Sequence, residues 1–285
     1  MALYPNLKKR PYFWSLFFIS AFLGLWAFWW EPASLTQQSY TIEIKNWPKS
    51  CDGIKVAVIA DLHIGSAYNS LTRLDEVIEH THTSQPDLIL LAGDFMNHSV
   101  VSSEQVAPDL IAQRLSALKA PMGVYAVMGN HDWWYGAEQV KQGFLKHNMH
   151  LLEDDAVLLE QNECQFWLSG ISDFWEGPHD IALALAKVPE DAVNIVVTHN
   201  PDIFDHLPAS VELTIAGHTH GGQVHLPFIG RPAIPSQFGE RFAAGHIEEQ
   251  GKHLFVNTGV GTSILPVRFR VPPEISLVSI KRTAH

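Results

Sequence analysis

The sequence predicts an α/β fold. Apolar runs with the length of a buried strand alternate along the chain with segments in which apolar residues recur at helical spacing. Two such helical segments precede the strands that begin at Leu88 and Val124; their apolar residues are Leu71, Leu74, Val77 and Ile78 in the first and Leu110, Ile111, Leu115 and Leu118 in the second. Alternation of strands and helices favours parallel pairing of the strands.

Five of the predicted strands end in a side chain that can bind a metal ion. The strands cover residues 54–60, 88–93, 123–129, 193–198 and 211–216. The side chains that follow them are Asp61 and His63, Asp94, Asn130 with His131 and Asp132, His199, and His218 with His220. Open α/β sheets gather their ligands at the carboxyl ends of the strands. Alone, the His218–His220 pair fits a structural zinc corner or a chance pair, but five such strand ends favour a common metal centre.

The remaining elements are predicted to be mostly short strands. Tyr40–Ile44 alternates like a half-exposed strand and marks the start of the globular part. After Asp132 the pattern predicts strands at 151–152, 156–160 and 166–169, a helix near 181–186, and strands at 224–226, 242–247, 253–256 and 275–280.

The order Asp-x-His, Gly-Asp, Gly-Asn-His-Asp, His and Gly-His-x-His resembles the calcineurin-like metallophosphoesterase superfamily over residues 54–261. Within it, the segment 217–224 followed by Leu226-Pro227 looks most like the membrane-associated bacterial phosphodiesterase branch. This resemblance implies two stacked mixed β-sheets flanked by helices, an αββα sandwich.

The resemblance also implies a site for two divalent metal ions bridged by Asp94. It assigns Asp61, His63 and His220 to one ion and Asn130, His199 and His218 to the other. Such a mixture of nitrogen and oxygen ligands suits Mn, Fe or Zn. Two cations neutralise the phosphoryl oxygens and hold between them the hydroxide that attacks phosphorus.

His131 corresponds in this resemblance to a histidine that is not a ligand, contacts the phosphate and can protonate the leaving oxygen. Asp132 is expected to hold the ring of His131. In one branch of the superfamily an aspartate three residues after the bridging one orients this histidine, whereas the present chain has Asn97 there.

Further substrate contacts are predicted from position alone. His225 either touches the substrate or is a half-exposed neighbour on a strand. Trp133 and Trp134, with Tyr135, Phe174, Trp175 and Phe228, either pack in the core or form an apolar lip that receives acyl chains or contacts a bilayer. Histidines without motif context are expected to be ordinary surface or core residues; they are His98, His147, His150, His179 and His246.

Residues 11–30 contain no charged side chain, and twenty helical residues span about 30 Å of hydrocarbon. Aromatic residues at both ends, Tyr12 to Trp14 and Trp26 to Trp30, are typical of membrane interfaces. We expect an uncleaved anchor, with a cleaved signal peptide as the alternative. Because residues 8–10 are basic, residues 1–10 are predicted to be cytoplasmic, and the catalytic domain, 40–285 after a connector at 31–39, to lie outside.

Composition limits the possible classes. The chain has 285 residues, of which 46% are hydrophobic and 17% charged, as expected for one globular domain. A net charge of −11 argues against a nucleic-acid surface. The two cysteines, Cys51 and Cys164, have no metal-binding spacing, and we expect them to be unpaired, with a bridge between them as the alternative.

Together these features predict a membrane-anchored phosphodiesterase or pyrophosphohydrolase of a lipid-linked substrate, with a molecule such as UDP-2,3-diacylglucosamine as the leading candidate. A phosphomonoesterase using the same site is an alternative. A catalytically silent metal-binding scaffold is another, although all eight expected ligand and acid positions are occupied. The sequence does not predict an oligomeric state.

Overall fold

The computed structural model of the protein describes residues 10–98 and 104–283. The basic residues Lys8 and Lys9 lie outside this range. The strands are β1 (Thr36–Ile44), β2 (Ile54–Ile59), β3 (Leu88–Ala92), β4 (Val124–Val127), β5 (His150–Leu151), β6 (Asp155–Gln161), β7 (Cys164–Ile171), β8 (Asn194–Thr198), β9 (Val211–Ala216), β10 (Gly245–Glu249), β11 (Lys252–Val256) and β12 (Glu274–Arg282). The helices are α1 (Arg10–Leu25), α2 (Glu31–Ala33), α3 (Leu71–Thr83), α4 (Pro108–Leu115), α5 (Asn130–Lys146) and α6 (Ile181–Leu185).

The strands form two mixed sheets, which confirms the predicted fold class. In the described residues one sheet has the order β1-β12-β2-β3-β4-β5 and the other β10-β11-β9-β8-β7-β6. Strands β2 to β5 pair in parallel in the first sheet, as do β7, β8, β9 and β11 in the second. All their carboxyl ends within a sheet therefore meet at one edge.

The core lies between the two sheets, and a second apolar layer lies under the helices. Val56 and Val58 of β2 pack in the same cluster as Ile195 and Val197 of β8. The intervening Ala57 and Ile59 belong to a cluster with α3, α4 and α5. Since successive side chains of a strand point to opposite faces, β2 is buried on both.

One helix was missed and one strand prediction is wrong. The short strands predicted after Asp132 are present as β5, β6 and β7, but the Gly-Asn-His-Asp block before them opens helix α5, which the sequence pattern did not predict. Its helical period is hidden because Gly136 interrupts the helix with a φ of 137°. The segment 224–226 forms only isolated bridges, Val224 with Phe269 and Leu226 with Gly230.

Two predicted strands begin at different residues in the structure. β1 begins at Thr36 instead of Tyr40, because Thr36–Ile44 pairs in parallel with β12 along its whole length. The strand predicted at 242–247 begins at Gly245, after a short 3₁₀ turn that ends at Phe242.

Cys51 and Cys164 form a disulfide, so the expectation of unpaired cysteines is wrong. Cys51 lies just before β2 in one sheet, and Cys164 begins β7 in the other. The stacking of the two sheets brings the amino ends of these strands together, although 113 residues separate the cysteines along the chain. The bond therefore joins the sheets at the edge opposite to the carboxyl ends of β2 and β7.

The described residues contain one helix long and apolar enough to cross a membrane, Tyr12–Ala33, and a signal sequence near the N-terminus would have the same properties. Its carboxyl end contacts the domain directly. The indole of Trp26 packs 5.7 Å from the ring of Phe269, and the Ala27 carbonyl accepts the N–H of Arg268. The Glu31 carboxylate accepts the N–H of Val271.

Candidate metal centre

The predicted ligands follow the ends of the strands and lie together in a single buried cluster. Asp61 and His63 follow β2, Asp94 follows β3, and Asn130 begins α5 after β4. His199 follows β8, and His218 and His220 follow β9 in the other sheet. Each of these side chains is at most 4% exposed. The two sheets thus contribute ligands from facing edges.

The backbone at these strand ends is left-handed. The φ angles are 52° at Asp61, 42° at His63, 56° at Asp94, 71° at His218 and 50° at His220. Such angles cost on the order of 1 kcal/mol or more per residue outside glycine and persist where the surroundings impose them. They turn each side chain from the strand direction into the cluster.

Glycines beside the ligands let the backbones approach closely. A Cβ on Gly93 would lie 2.7 Å from both the Gly129 nitrogen and His199 Nδ1. A Cβ on Gly259 would lie 2.7 Å from the Cβ of Asp61. Side chains at these positions would push ligands out of the cluster.

One carboxylate oxygen, Oδ2 of Asp94, lies between the two sheets' ligands. It is 3.5 Å from His63 Nε2 and 3.3 Å from His199 Nε2. This is the position that a bridging ligand requires. Asp61 is also placed centrally, since its Oδ1 lies 3.3 Å from His220 Nε2 and 4.0 Å from His199 Nε2.

The remaining donors fall on the two sides of Asp94. His63 Nε2 and His220 Nε2 are 3.2 Å apart. On the other side, His218 Nδ1 lies 2.9 Å from Asn130 Oδ1 and 3.2 Å from His199 Nε2. Three overlapping groups have donor atoms within 4.8 Å of one another; they are Asp61–His63–His220, His63–Asp94–His131 and Asp61–Asp94–His199.

Hydrogen bonds behind the cluster fix the histidine rings. His63 Nδ1 pairs with the Met96 carbonyl at 3.1 Å and His199 Nδ1 with the Ala92 carbonyl at 2.7 Å. A carbonyl accepts only from an N–H, so Nδ1 carries a proton in both rings. In His63, whose ring is neutral, Nε2 therefore presents its lone pair to the cluster.

The pKa shifts in the cluster are those expected of side chains that bind a cation. Burial, reinforced by nearby imidazoles, lowers the pKa of His63 to about 3 and holds the pKa of His218 and His220 well below the usual range. Burial opposes a charge on His199 too, but Asp94 and Asp61 outweigh it and hold its pKa well above the usual range. The neutral imidazoles and paired carboxylates are the donors that borderline divalent cations prefer.

Asp132 does not contact the ring of His131 as expected. Its Oδ2 accepts the N–H groups of Asp94 and Gly129, and its Oδ1 accepts that of Met96. The carboxylate therefore ties the end of β3 to the start of α5. Burial and the nearby Asp94 raise its pKa to about 7.

His131 lies at the rim of the cluster. It is 7% exposed, and its ring centroid is 4.6 Å from that of His63. Its backbone N–H donates to Asp94 Oδ1, and its ring hydrogen-bonds the backbone of His98. Its Nδ1 has no partner among the described residues, and the buried side chain of Asn97 likewise has none there. Burial lowers the pKa of His131.

Two exposed tryptophans flank the cluster. Trp134 is 43% exposed, with its ring 4.9 Å from His131. Trp175 is 46% exposed, with its ring edge-on to His218 at 4.3 Å. Trp133, by contrast, packs against the core under α5, and its ring lies below the Lys141 ammonium.

His225 is not part of the cluster. It lies in the loop after Gly222, and its N–H donates to the Phe269 carbonyl. The donor groups described around Asp94 do not include it. Phe228, in the same loop, is fully exposed.

Sequence reasoning missed Asp173, which is fully buried two residues after β7. Its Oδ2 accepts the N–H groups of Trp175 and Glu176 and so fixes the turn that carries Trp175. Burial raises its pKa. Asp173 follows the end of its strand, as the predicted ligands follow theirs. It was not recognised because the strand was expected to end at Ser169 and not at Ile171.

Arg268 was also missed, and no local pattern marks it. Its buried guanidinium donates to the carbonyls of Thr258, Gly259, Gly261 and Val271. The Gly261 N–H in turn donates to the Asp61 carbonyl. Burial lowers the pKa of Arg268 to about 10. Its side chain thus organises the loop behind Asp61.

A two-sheet α/β sandwich with carboxylates and imidazoles gathered at its strand ends defines a metal-dependent hydrolase. The profile of the calcineurin-like phosphoesterase family matches residues 54–222, and the chain belongs to that family. It is accordingly a metal-dependent phosphoesterase, and the family uses divalent metal ions.

Two bacterial relatives have names that agree with this family assignment. The chain is 30% identical over 256 residues to the uncharacterized metallophosphoesterase YkuE of Bacillus subtilis, covering 89% of this chain and 88% of that protein. It is 29% identical over 231 residues to the phosphodiesterase YaeI of Escherichia coli, covering 79% and 82%. Among solved structures it matches TT1561 of Thermus thermophilus with a TM-score of 0.47 and 12% identity, covering 73% and 90%.

Proposed function

We propose that the protein is a membrane-anchored phosphodiesterase or pyrophosphohydrolase that uses two divalent ions, Mn, Fe or Zn, and acts on a lipid-linked substrate. The observation that carries the catalytic part is the position of Asp94 Oδ2, 3.5 Å from His63 Nε2 and 3.3 Å from His199 Nε2. One carboxylate shared by ligands from two sheets suits a pair of cations better than a single one.

In this proposal Asp61, His63 and His220 would hold one ion, Asn130, His199 and His218 would hold the other, and Asp94 would serve as a ligand to both. When bound, the ions supply charge neutralisation at the phosphoryl oxygens and a nucleophile at neutral pH. His131, at the rim, would donate a hydrogen bond to the phosphoryl group. The negative charge of that group would oppose the effect of burial on the pKa of His131 and favour the protonated ring, which then supplies the proton that the leaving oxygen needs. Asp132 positions the bridging ligand through the backbone of Asp94.

The lipid-linked substrate is proposed from the surroundings of the cluster. Trp134 and Trp175 offer exposed apolar surface on either side of it. The apolar helix ends against the loop that carries Arg268 and Val271. A diacylated sugar nucleotide such as UDP-2,3-diacylglucosamine combines a diphosphate with acyl chains and fits both features. The relative named phosphodiesterase supports a diester or diphosphate over a monoester.

A direct test compares bis-p-nitrophenyl phosphate with p-nitrophenyl phosphate, using the full chain in detergent with Mn, Zn or a chelator. We expect metal-dependent cleavage that favours the diester, is lost in Asp94→Asn and is kept in Asp191→Asn, a matched change at an exposed acid. Preference for the monoester would make the enzyme a phosphomonoesterase. No cleavage of either ester by protein with two bound ions per chain would favour the silent scaffold.

We also propose that the helix is an uncleaved anchor in the cytoplasmic membrane, with residues 1–10 inside and the domain outside. The predicted connector at 31–39 is shorter than expected, because β1 of the domain begins at Thr36. The Cys51–Cys164 disulfide supports this orientation, because such bonds persist mainly in oxidising compartments. Alkaline phosphatase fused to the C-terminus should be active in cells. An inactive fusion that is made in full would place the domain in the cytoplasm.

A further inference from the structure

Two loops beside the metal centre expose apolar side chains at their tips. Phe228 is fully exposed and Ile229 is 73% exposed; Ile264 and Leu265 are 67% and 48% exposed. We call these four residues the apolar tips. Phe228 and Ile264 have left-handed φ angles of 68° and 63°. Such a conformation is costly for a β-branched residue, and strain of this kind is typical of functional segments.

The two loops form one unit. Gln223 joins them, since its Oε1 accepts the N–H of Ser263 and its Nε2 donates to the Leu265 carbonyl. Backbone bonds add to this link: the Phe269 N–H donates to the Gln223 carbonyl and the His225 N–H to the Phe269 carbonyl. The two loops that carry the apolar tips are therefore joined at their bases.

The unit is fixed to the end of the apolar helix. Phe269 packs on Trp26, the Arg268 N–H donates to the Ala27 carbonyl, and Glu31 accepts the Val271 N–H. Trp29 and Trp30, at the same end of the helix, are 63% and 72% exposed. The exposed aromatic residues at the end of the helix and the loops are thus parts of the same contact region.

The composition of the loops matches a bilayer surface. Neither 224–230 nor 261–267 contains Lys, Arg, Asp or Glu. Arg270, which lies shortly after the second run, is exposed. Arg231 follows the first run and is half-buried, with its guanidinium donating to the Gly221 carbonyl. Apolar side chains bordered by cations are typical of segments that insert at the level of lipid headgroups and meet anionic lipids.

We propose that the apolar tips insert into the same bilayer as the helix and form a second membrane contact of the catalytic domain. This inference rests on the anchoring proposed above. Its consequence concerns the substrate, because both loops begin at the metal centre. Gln223 follows directly on the segment that carries His218 and His220, and Gly261 donates to the Asp61 carbonyl. The metal centre is held at the headgroup layer, where it meets phosphoesters whose apolar part stays in the membrane.

The contact can be measured with nitroxide labels on the full chain in vesicles of phosphatidylcholine and phosphatidylglycerol. Both natural cysteines are in the disulfide, so an introduced cysteine is the only free thiol. We would label Ile229→Cys and Ile264→Cys at the tips, Ile19→Cys in the helix and Leu145→Cys as a control. Leu145 is 60% exposed near the far end of α5. Power-saturation EPR then compares collisions with oxygen, which enters the bilayer, and with a water-soluble nickel complex.

We expect labels at 229, 264 and 19 to favour oxygen and the label at 145 to favour nickel. Nickel-accessible tips with an oxygen-accessible position 19 would overturn the tip contact and leave the anchor standing. A nickel-accessible position 19 would instead refute the anchor. Dipolar broadening at the tips that disappears on dilution with unlabelled chain would identify a second copy of the chain, in place of the bilayer, as the occupant.

A kinetic test addresses the substrate. In the variant that combines Phe228→Ser, Ile229→Ser, Ile264→Ser and Leu265→Ser, cleavage of soluble bis-p-nitrophenyl phosphate should be unchanged. Cleavage of hexadecyl p-nitrophenyl phosphate embedded in vesicles should fall by about tenfold or more. The matched variant Leu145→Ser should cleave both at the normal rate. Equal rates of the tip variant and the unaltered chain on the embedded ester would overturn the proposal.

Discussion

The two edges of the sandwich differ in the residues that have left-handed φ angles and in what holds the sheets together. At the carboxyl edge, left-handed φ angles fall on residues whose side chains the site needs, such as Asp61, Asp94 and His218. At the amino edge several of them fall on residues that tolerate that conformation, such as Gly53 and Asn162. Gln85 and Gln250, which precede β3 and β11, also have positive φ, but neither contributes a side chain to the cluster. The amino edge also carries the disulfide between the sheets. Backbone strain and buried charge are thus concentrated at the carboxyl edge, around the candidate metal centre. The disulfide lies at the amino edge, away from the candidate ligands.

The largest effect is expected for His131→Ala at the carboxyl edge. Loss of a positioned acid lowers turnover by about 10²- to 10⁴-fold. Metal content, measured by mass spectrometry, should stay the same, because His131 is not one of the proposed ligands. His150→Ala serves as the control, because His150 is an exposed histidine at the amino end of β5. Unchanged turnover in His131→Ala would rule out its proposed role, and loss of metal would make it a ligand.

Two glycine substitutions, one at each edge, test whether only the carboxyl edge affects turnover. A Cβ on Gly129 would lie 2.7 Å from the Asp94 nitrogen and closer still to its carboxylate. Gly129→Ala should therefore displace Asp94, the proposed bridging ligand, weaken metal binding and lower turnover by about 10²-fold. Gly53 has open space around it and a φ of 82°, so Gly53→Ala should cost about 1 kcal/mol of stability and leave turnover unchanged. Equal turnover of the two variants would contradict the comparison.

Removal of the disulfide tests the amino edge alone. Cys51→Ser with Cys164→Ser should lower the free energy of unfolding by about 2–4 kcal/mol, because the bond closes a long loop of the unfolded chain. Denaturant unfolding measures this. Turnover of the folded variant should be unchanged, since the bond lies at the edge away from the ligands. A loss of metal binding in the folded variant would mean that the two edges are coupled.

The sequence predicted the α/β class and the residues at the strand ends because both follow from local patterns. The apolar runs locate the strands, and the polar side chain after each run is adjacent in sequence. The structure brings those side chains into one cluster, while their individual roles stay predictions. The disulfide depends on how one sheet stacks on the other, so spacing alone did not indicate it. Arg268 acts on four carbonyls that only the folded loop brings together.

The smallest predicted effect concerns Glu153, which supports the start of the metal-binding segment. Its Oε1 accepts the Met128 N–H, and its Oε2 has no partner among the described residues. Burial raises its pKa from 4.5 to about 8. Between these two values the folded protein holds a proton that the unfolded chain has lost. Stability is therefore lost as the pH rises from 4.5 to about 8.

Glu153→Gln removes this loss, because a neutral amide can accept the same N–H without an unpaired buried charge. The variant should be about 1 kcal/mol more stable than the unaltered chain above pH 8 and equal to it near pH 4.5. The expected gain is kept small because solvent reaches part of the Glu153 side chain. Glu163→Gln, an exposed glutamate at the amino edge, should show no such pH-dependent difference in thermal unfolding. A gain that is the same at both pH values would mean that packing, and not the buried charge, separates Glu153 from Glu163.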